Sequence, residues 1–264
     1  MRKAGHWGGP NMRNAARGLA VSVLLTVTAA GPARAQLSPC SEAMAPANAC
    51  SFQDDVPGQL ECMGEAVCEQ GIMAACGPSS DGTAAYFCPG EFVTREDMAV
   101  HLERALRGST YAPPPPTSAP FLDVPVTYCL AGWIKKLAED QITAGCGDGN
   151  YCPFAAVSRA QMAIFIAKTV ALKWGVSIPA SGIAQGCAFN CVPGGTSCFS
   201  DVQPSEVWCP HIHFMYARCI TAGCGSGLFC SNSPVRRDQM AVFLWKAFLR
   251  DSPGPPVCPG RNCP

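Results

Sequence analysis

What this chain lacks narrows its function first. It has no basic excess: 19 lysines and arginines meet 19 aspartates and glutamates, and Arg2, Lys3, Arg13, Arg17 and Arg34 all precede Gln36, where no acid occurs. The remainder carries 14 basic and 19 acidic residues, a net charge of −5. Nucleic acid calls for a basic face and an anionic membrane for basic clusters, so neither partner is expected. The one long apolar run, Leu19 to Ala30, is shorter than the roughly 20 residues that span a bilayer. Basic residues before that run and Ala33-Arg34-Ala35 after it form the pattern of a secretory signal peptide over residues 1–35. No integral membrane segment is expected after it, and the location expected is secreted: cell envelope or surface, or the periplasm of a Gram-negative cell. Catalytic signatures are missing too. There is no Gly-x-Ser-x-Gly elbow, no Walker phosphate loop and no recognisable triad, so neither an enzyme nor a cofactor is expected.

Cysteine, by contrast, is abundant: 18 residues, an even number, all after Ala35. In an exported chain that count predicts disulfides. Zinc is the competing use of thiols, but Cys-x₂-Cys pairs are absent. Cys187-x₃-Cys191 comes closest, and His211-x-His213 lies on an apolar helix face, so no metal site is expected.

One unit is written three times. The second copy runs Phe121-Leu-Asp123-Val124, Trp133-Ile134, Leu137, Gly145-Cys146-Gly147, Tyr151-Cys152-Pro153 and Val157-Ser158-Arg159. The third runs Phe199-Ser-Asp201-Val202, Gly223-Cys224-Gly225, Phe229-Cys230 and Val235-Arg236-Arg237. The first is looser: Phe52, Asp55-Val56, Cys76-Gly77, Phe87-Cys88-Pro89 and Val93-Thr94-Arg95, with an insertion around Ser79 to Ala85. Such a period means a unit too small to close a core alone, assembled from copies. Cys76/Cys88, Cys146/Cys152 and Cys224/Cys230 recur at one point of the unit, and each pair is expected to bond within its own loop. The other twelve cysteines have no readable connectivity.

Within a copy, Trp133, Ile134, Leu137 and Ala138 mark one face of a short helix. A second helix opens at Ser158 with Gln161 three residues on, a capping box; Thr94 and Asp97 do the same, while Arg236 stands at the third cap. Met98, Leu102, Ala105 and Leu106, with Met162, Ile166, Thr169 and Val170, and Met240, Leu244, Ala247 and Phe248, are stripes that pack as core. Asp55, Asp123 and Asp201 read as turn or cap residues. The expected layout is a tail at 36–50, repeats at 51–107, 121–172 and 198–250, a proline-rich linker at 108–120, a Gly/Pro/Cys linker at 173–197 and a tail at 251–264.

Phe-x-Asp-Val, an apolar first helix, the loop Gly145-Cys146-Gly147-Asp148-Gly149-Asn150-Tyr151-Cys152-Pro153 and a Thr-Arg-Ala-Glu-like helix start resemble the S-layer homology domain. The resemblance implies an all-α fold with loops: three tandem repeats of short helix pairs packed as a pseudo-threefold bundle, here stapled by disulfides. It implies a non-catalytic module that anchors non-covalently to bacterial cell-wall polysaccharide, a secondary polymer or peptidoglycan, through grooves between repeats. Carried over, the ligand-binding residues are Arg95, Arg159 and Arg237, with Asp148 and Gly149 in the loop. An arginine fork at a helix N-terminus suits a carboxylate. The same fork equally ties a loop to backbone carbonyls or to a neighbouring aspartate. Ser226 in place of Asp148, and Ala75 in place of the loop glycine, depart from the family pattern. The alternative reading is a disulfide-rich extracellular scaffold or adhesion protein that partners other envelope proteins.

Overall fold

Val93, Val157 and Val235 each stand just before a helix cap, and all three are fully buried. Their backbones join in a closed cycle. The Val93 N–H donates to the Val235 carbonyl, Val157 to Val93 and Val235 to Val157, each at 2.9 Å. The computed structural model that shows this describes residue 50 and residues 52–54, 59–78 and 85–251. The expected leader, most of the 36–50 tail, Asp55-Val56, most of the first-copy insertion, the tail beyond residue 251, and Cys40, Cys258 and Cys263 lie outside those residues.

The elements in chain order are α1 (Gln59–Glu69), β1 (Gly77–Pro78), β2 (Ala85–Tyr86), α2 (Arg95–Arg107), α3 (Ala131–Glu139), α4 (Arg159–Trp174), β3 (Ser181–Ala184), β4 (Cys187–Asn190), α5 (Cys209–Ala217) and α6 (Arg237–Leu244). A π-helical turn, Trp245–Leu249, continues α6. The all-α expectation is thereby corrected. Two antiparallel two-stranded sheets, β1–β2 and β3–β4, make the fold mixed α/β, with isolated bridges such as Phe92 to Arg236 and Thr94 to Ala156. Helical periodicity in the sequence says nothing of these pairings: the two sheets are local hairpins, and those two bridges join short extended strips lying far apart along the chain.

Local chemistry sets the helix starts. Thr94 and Ser158 each complete a capping box, their hydroxyls accepting from the N–H of Asp97 and Gln161. At the third start Asp238 takes over: its carboxylate accepts from Gln239 N–H at 2.6 Å, while Gln239 Oε1 accepts from Arg236 N–H. The π turn brings Arg250 back onto the Cys219 and Arg218 carbonyls at the end of α5, orphan acceptors that a cation satisfies well.

Packing is cyclic as well. Helix α2 packs on α3, α4 on α5, and α6 on α1, so the second helix of each segment covers the first helix of the next. Met98, Leu102, Met162, Ile166, Met240 and Leu244 meet in one core and are fully buried, each contributing about 1.5–3 kcal/mol relative to exposure. The stretch after Gly175 is not a bare linker. It holds the β3–β4 hairpin, pinned within itself by Cys187–Cys198 and to α5 by Cys191–Cys209. The proline linker lies along α3, where a Cβ on Gly132 would meet the Pro114 carbonyl oxygen at 2.9 Å.

Candidate functional site

The three loops that follow the short helices share one construction. Cys76–Cys88, Cys146–Cys152 and Cys224–Cys230 are bonded, with Cα–Cα distances of 6.0 Å in all three. An aspartate from the preceding turn clamps each loop from below. Asp123 accepts from the N–H groups of Tyr151 and Cys152, each at 2.7 Å, and Asp201 from Phe229 and Cys230, again at 2.7 Å. In the first loop Asp54, and not Asp55, does this, accepting from Phe87 and Cys88. Phe-x-Asp spacing was the signal: Asp54 stands two residues after Phe52, as Asp123 does after Phe121.

Asp148 and Gly149 occupy the tip of the second loop, with φ of 50° and 75° and a bridge between Gly147 and Asn150. That is the left-handed hairpin turn that Asp-Gly favours. Ser226 and Gly227 repeat it at φ of 50° and 73°, so the serine departure leaves the turn intact. Both Asp148 and Gly149 are exposed.

Arg95, Arg159 and Arg237 are buried, with 2%, 5% and 4% of their surface exposed. Arg95 Nε donates to the Tyr151 carbonyl at 2.6 Å and Nη2 reaches Thr143 Oγ1 at 3.4 Å. Arg159 donates to the Phe229 and Gly223 carbonyls, and Arg237 to those of Phe87 and Ala74. Each guanidinium also lies over the ring of the residue whose carbonyl it holds, Tyr151, Phe229 or Phe87. Burial pulls the Arg95 and Arg159 guanidinium groups below their usual range, opposed by the negative charges of Asp123 and Asp201 respectively. Of the two uses open to the fork, the geometry shows the tie to backbone carbonyls. These arginines are buried latches between segments, with their forks turned onto backbone carbonyls. A long cation laid across a segment boundary satisfies carbonyls that the turns leave without partners.

Sequence reasoning missed what flanks the first boundary. Tyr151 is wholly buried and its hydroxyl donates to the Arg95 carbonyl at 2.5 Å; burial pushes that phenol far up. Tyr128 donates to the buried Glu96 carboxylate, and Phe154, 72% exposed, sets its ring edge-on to Tyr128. The repeat pattern marks an aromatic at Tyr151 but not its hydroxyl contact, and it does not mark Tyr128 or Phe154, because the third segment has Glu206 and Asn232 at their places.

Cys191, Cys209 and His213 bring their ligand atoms within 4.8 Å of one another. The two sulfurs are bonded together and offer no thiolate. His213 is satisfied as a neutral ring: Nδ1–H donates to the Cys209 carbonyl at 2.8 Å, and Nε2 accepts from Cys198 N–H at 2.9 Å. Stacked on Phe189 at 4.5 Å, it ties the hairpin to α5. Among the described residues, no helix is long and apolar enough to cross a membrane.

A family model, that of the S-layer homology domain, matches residues 120–163. No curated protein matches the chain. The matched stretch runs from the Phe121 turn through α3 and the Asp148 loop into the first turn of α4. S-layer homology domains are non-enzymatic cell-wall anchoring modules that bind cell-wall polymers, and disulfides at this density belong to oxidising compartments. Residues 120–163 are thus similar to an S-layer homology domain, which fits association with the cell surface.

Proposed function

We propose that this protein is a non-catalytic anchor of the bacterial cell envelope, holding cell-wall polysaccharide in the grooves between three S-layer-homology-like segments, residues 51–107, 121–172 and 198–250. The observation that carries this reading is the family match over 120–163, the stretch that includes the exposed Asp148-Gly149 turn. Recurrence of the loop, the aspartate clamp and the arginine latch in the other two segments extends it beyond that stretch. In this reading Arg95, Arg159 and Arg237 act at the grooves by holding neighbouring segments in register. Asp148 and Gly149 contribute from the rim, where backbone N–H and a carboxylate suit sugar hydroxyls.

Co-sedimentation of oxidised protein with sacculi, before and after acid stripping of secondary polymer, tests it. Binding lost on stripping identifies the secondary polymer, and binding retained identifies peptidoglycan. No binding in either sample overturns the anchor. The disulfide-rich scaffold that captures an envelope protein would then stand in its place.

A further inference from the structure

Each arginine latch ends on a carbonyl one residue before a disulfide-bonded cysteine. Arg95, Arg159 and Arg237 hold the carbonyls of Tyr151, Phe229 and Phe87, and the next residues are Cys152, Cys230 and Cys88. All three cysteines are left-handed, with φ of 59°, 61° and 55°. An L-residue with a side chain avoids that region unless its surroundings hold it there. Two things hold it: the disulfide and the paired N–H bonds to the aspartate, and both come from the loop's own segment. The arginine comes from a different one. The orientation of the accepting carbonyl, and with it the contact between segments, therefore depends on a bond that a reductant can cut.

We propose that the three loop disulfides are redox locks on the joints between segments: reducing one loop loosens the arginine latch that ends on it and leaves the other latches in place. The chemistry is ordinary exchange. A dithiol thiolate attacks one sulfur, the S–S bond breaks, and the second thiol resolves the mixed disulfide, leaving two protein thiols and an oxidised dithiol. The joints differ in access. Cys146, Cys152, Cys224 and Cys230 are partly exposed, whereas Cys76 and Cys88 keep 7% and 4% of their surface. The joints held by Arg95 and Arg159 accordingly open first, and the joint held by Arg237 opens last. None of this depends on what the grooves bind.

Linkage makes the test specific, because a latch that a disulfide supports must in turn support the disulfide. Oxidised Arg95→Lys protein is equilibrated in dithiothreitol redox buffers, alkylated and mapped by mass spectrometry. The Cys146–Cys152 pair is expected to become about tenfold easier to reduce than in the parent, the scale of one lost charge-assisted hydrogen bond, with Cys224–Cys230 unchanged. Arg159→Lys should give the mirror pattern. Equal shifts at both loops, or none at either, overturn the proposal. Should these variants fail to fold, amide exchange in Cys146→Ser/Cys152→Ser protein decides. The N–H groups of Arg95 and Glu96, which donate to Ala155 and Pro153, should exchange about tenfold faster, while those of Arg159 and Ala160, on the other loop, hold their protection. Unchanged protection at Arg95 and Glu96 sinks the idea.

Discussion

The loop closed by Cys146 and Cys152 spans six positions, while the loop closed by Cys76 and Cys88 spans twelve and carries the β1–β2 pairing. Their backbones differ, yet both end alike. Each presents an aromatic carbonyl to a buried arginine and two N–H groups to one aspartate. What the two hold in common is the junction between segments, and what differs is the part facing away from it. The junction geometry is thus the constrained element, and the loop tip is free to vary.

The largest expected effect tests whether the junctions are equivalent. Arg237→Ala strands the Phe87 and Ala74 carbonyls on the long loop, and Arg159→Ala strands those of Phe229 and Gly223 on a short one. Each should cost about 3–5 kcal/mol in denaturant unfolding, since buried charged hydrogen bonds are lost and their acceptors left unpaired. A loss under about 1 kcal/mol for Arg237→Ala alone would show that the long loop does not rely on its latch. A second substitution separates the loops instead of equating them. A Cβ on Gly145 would meet the Asn150 carbonyl oxygen at 2.3 Å at a φ of 91°. Gly145→Ala should cost about 3 kcal/mol or more. Ala75, which holds the equivalent place in the first loop, should accept glycine at about 1 kcal/mol.

This comparison also shows what the sequence made legible. Local features were readable: the capping boxes at Thr94 and Ser158, the apolar stripes, and the pairs that recur within one loop all depend on residues a few positions apart. The Asp54 clamp was within reach through Phe-x-Asp spacing, and the Asp55-Val56 pair, matching Asp123-Val124 and Asp201-Val202, drew the reading one residue on. Arg237 and Phe87 lie 150 positions apart, and no periodicity reports which carbonyl an arginine will find. The chemistry of the fork offered an anion and a carbonyl alike, and only the fold shows which carbonyls lie within its reach. Strand pairing in the 175–198 stretch was equally hidden, since glycine and proline marked it as linker. His213 looked like an intrusion on an apolar face because its partners, Cys198 and Phe189, belong to that hairpin.

The joint between α2 and α3 carries a fully buried carboxylate in mid-helix. Glu103 is fully buried, Arg107 bridges it to Asp140, and its Oε1 has no hydrogen-bond partner. Burial, opposed by Arg107, pushes its pKa up to about 7. The folded state therefore holds the proton more tightly than the unfolded chain. Stability falls as pH rises from the ordinary glutamate range toward 7 and levels off above it. Glu103→Gln removes this titration, so the variant should gain about 3 kcal/mol on the parent between about pH 4 and pH 8 in thermal or denaturant unfolding. Parallel pH profiles for the two proteins would place the proton elsewhere.

The smallest effect concerns the helix starts, where the segments again reach one end by different residues. Ser158 caps α4 with a hydroxyl, whereas α6 begins at Arg236 and borrows the Asp238 carboxylate. Ser158→Ala should cost about 1 kcal/mol, the usual value of a lost cap. Asp238 both caps Gln239 and pairs with Arg236, but that pair is partly exposed and adds little. Asp238→Ala should thus cost about the same, and about 1 M salt should leave its effect nearly unchanged. A loss that salt erases would assign the role of Asp238 to its charge, and the third helix would then start for a different reason from the other two.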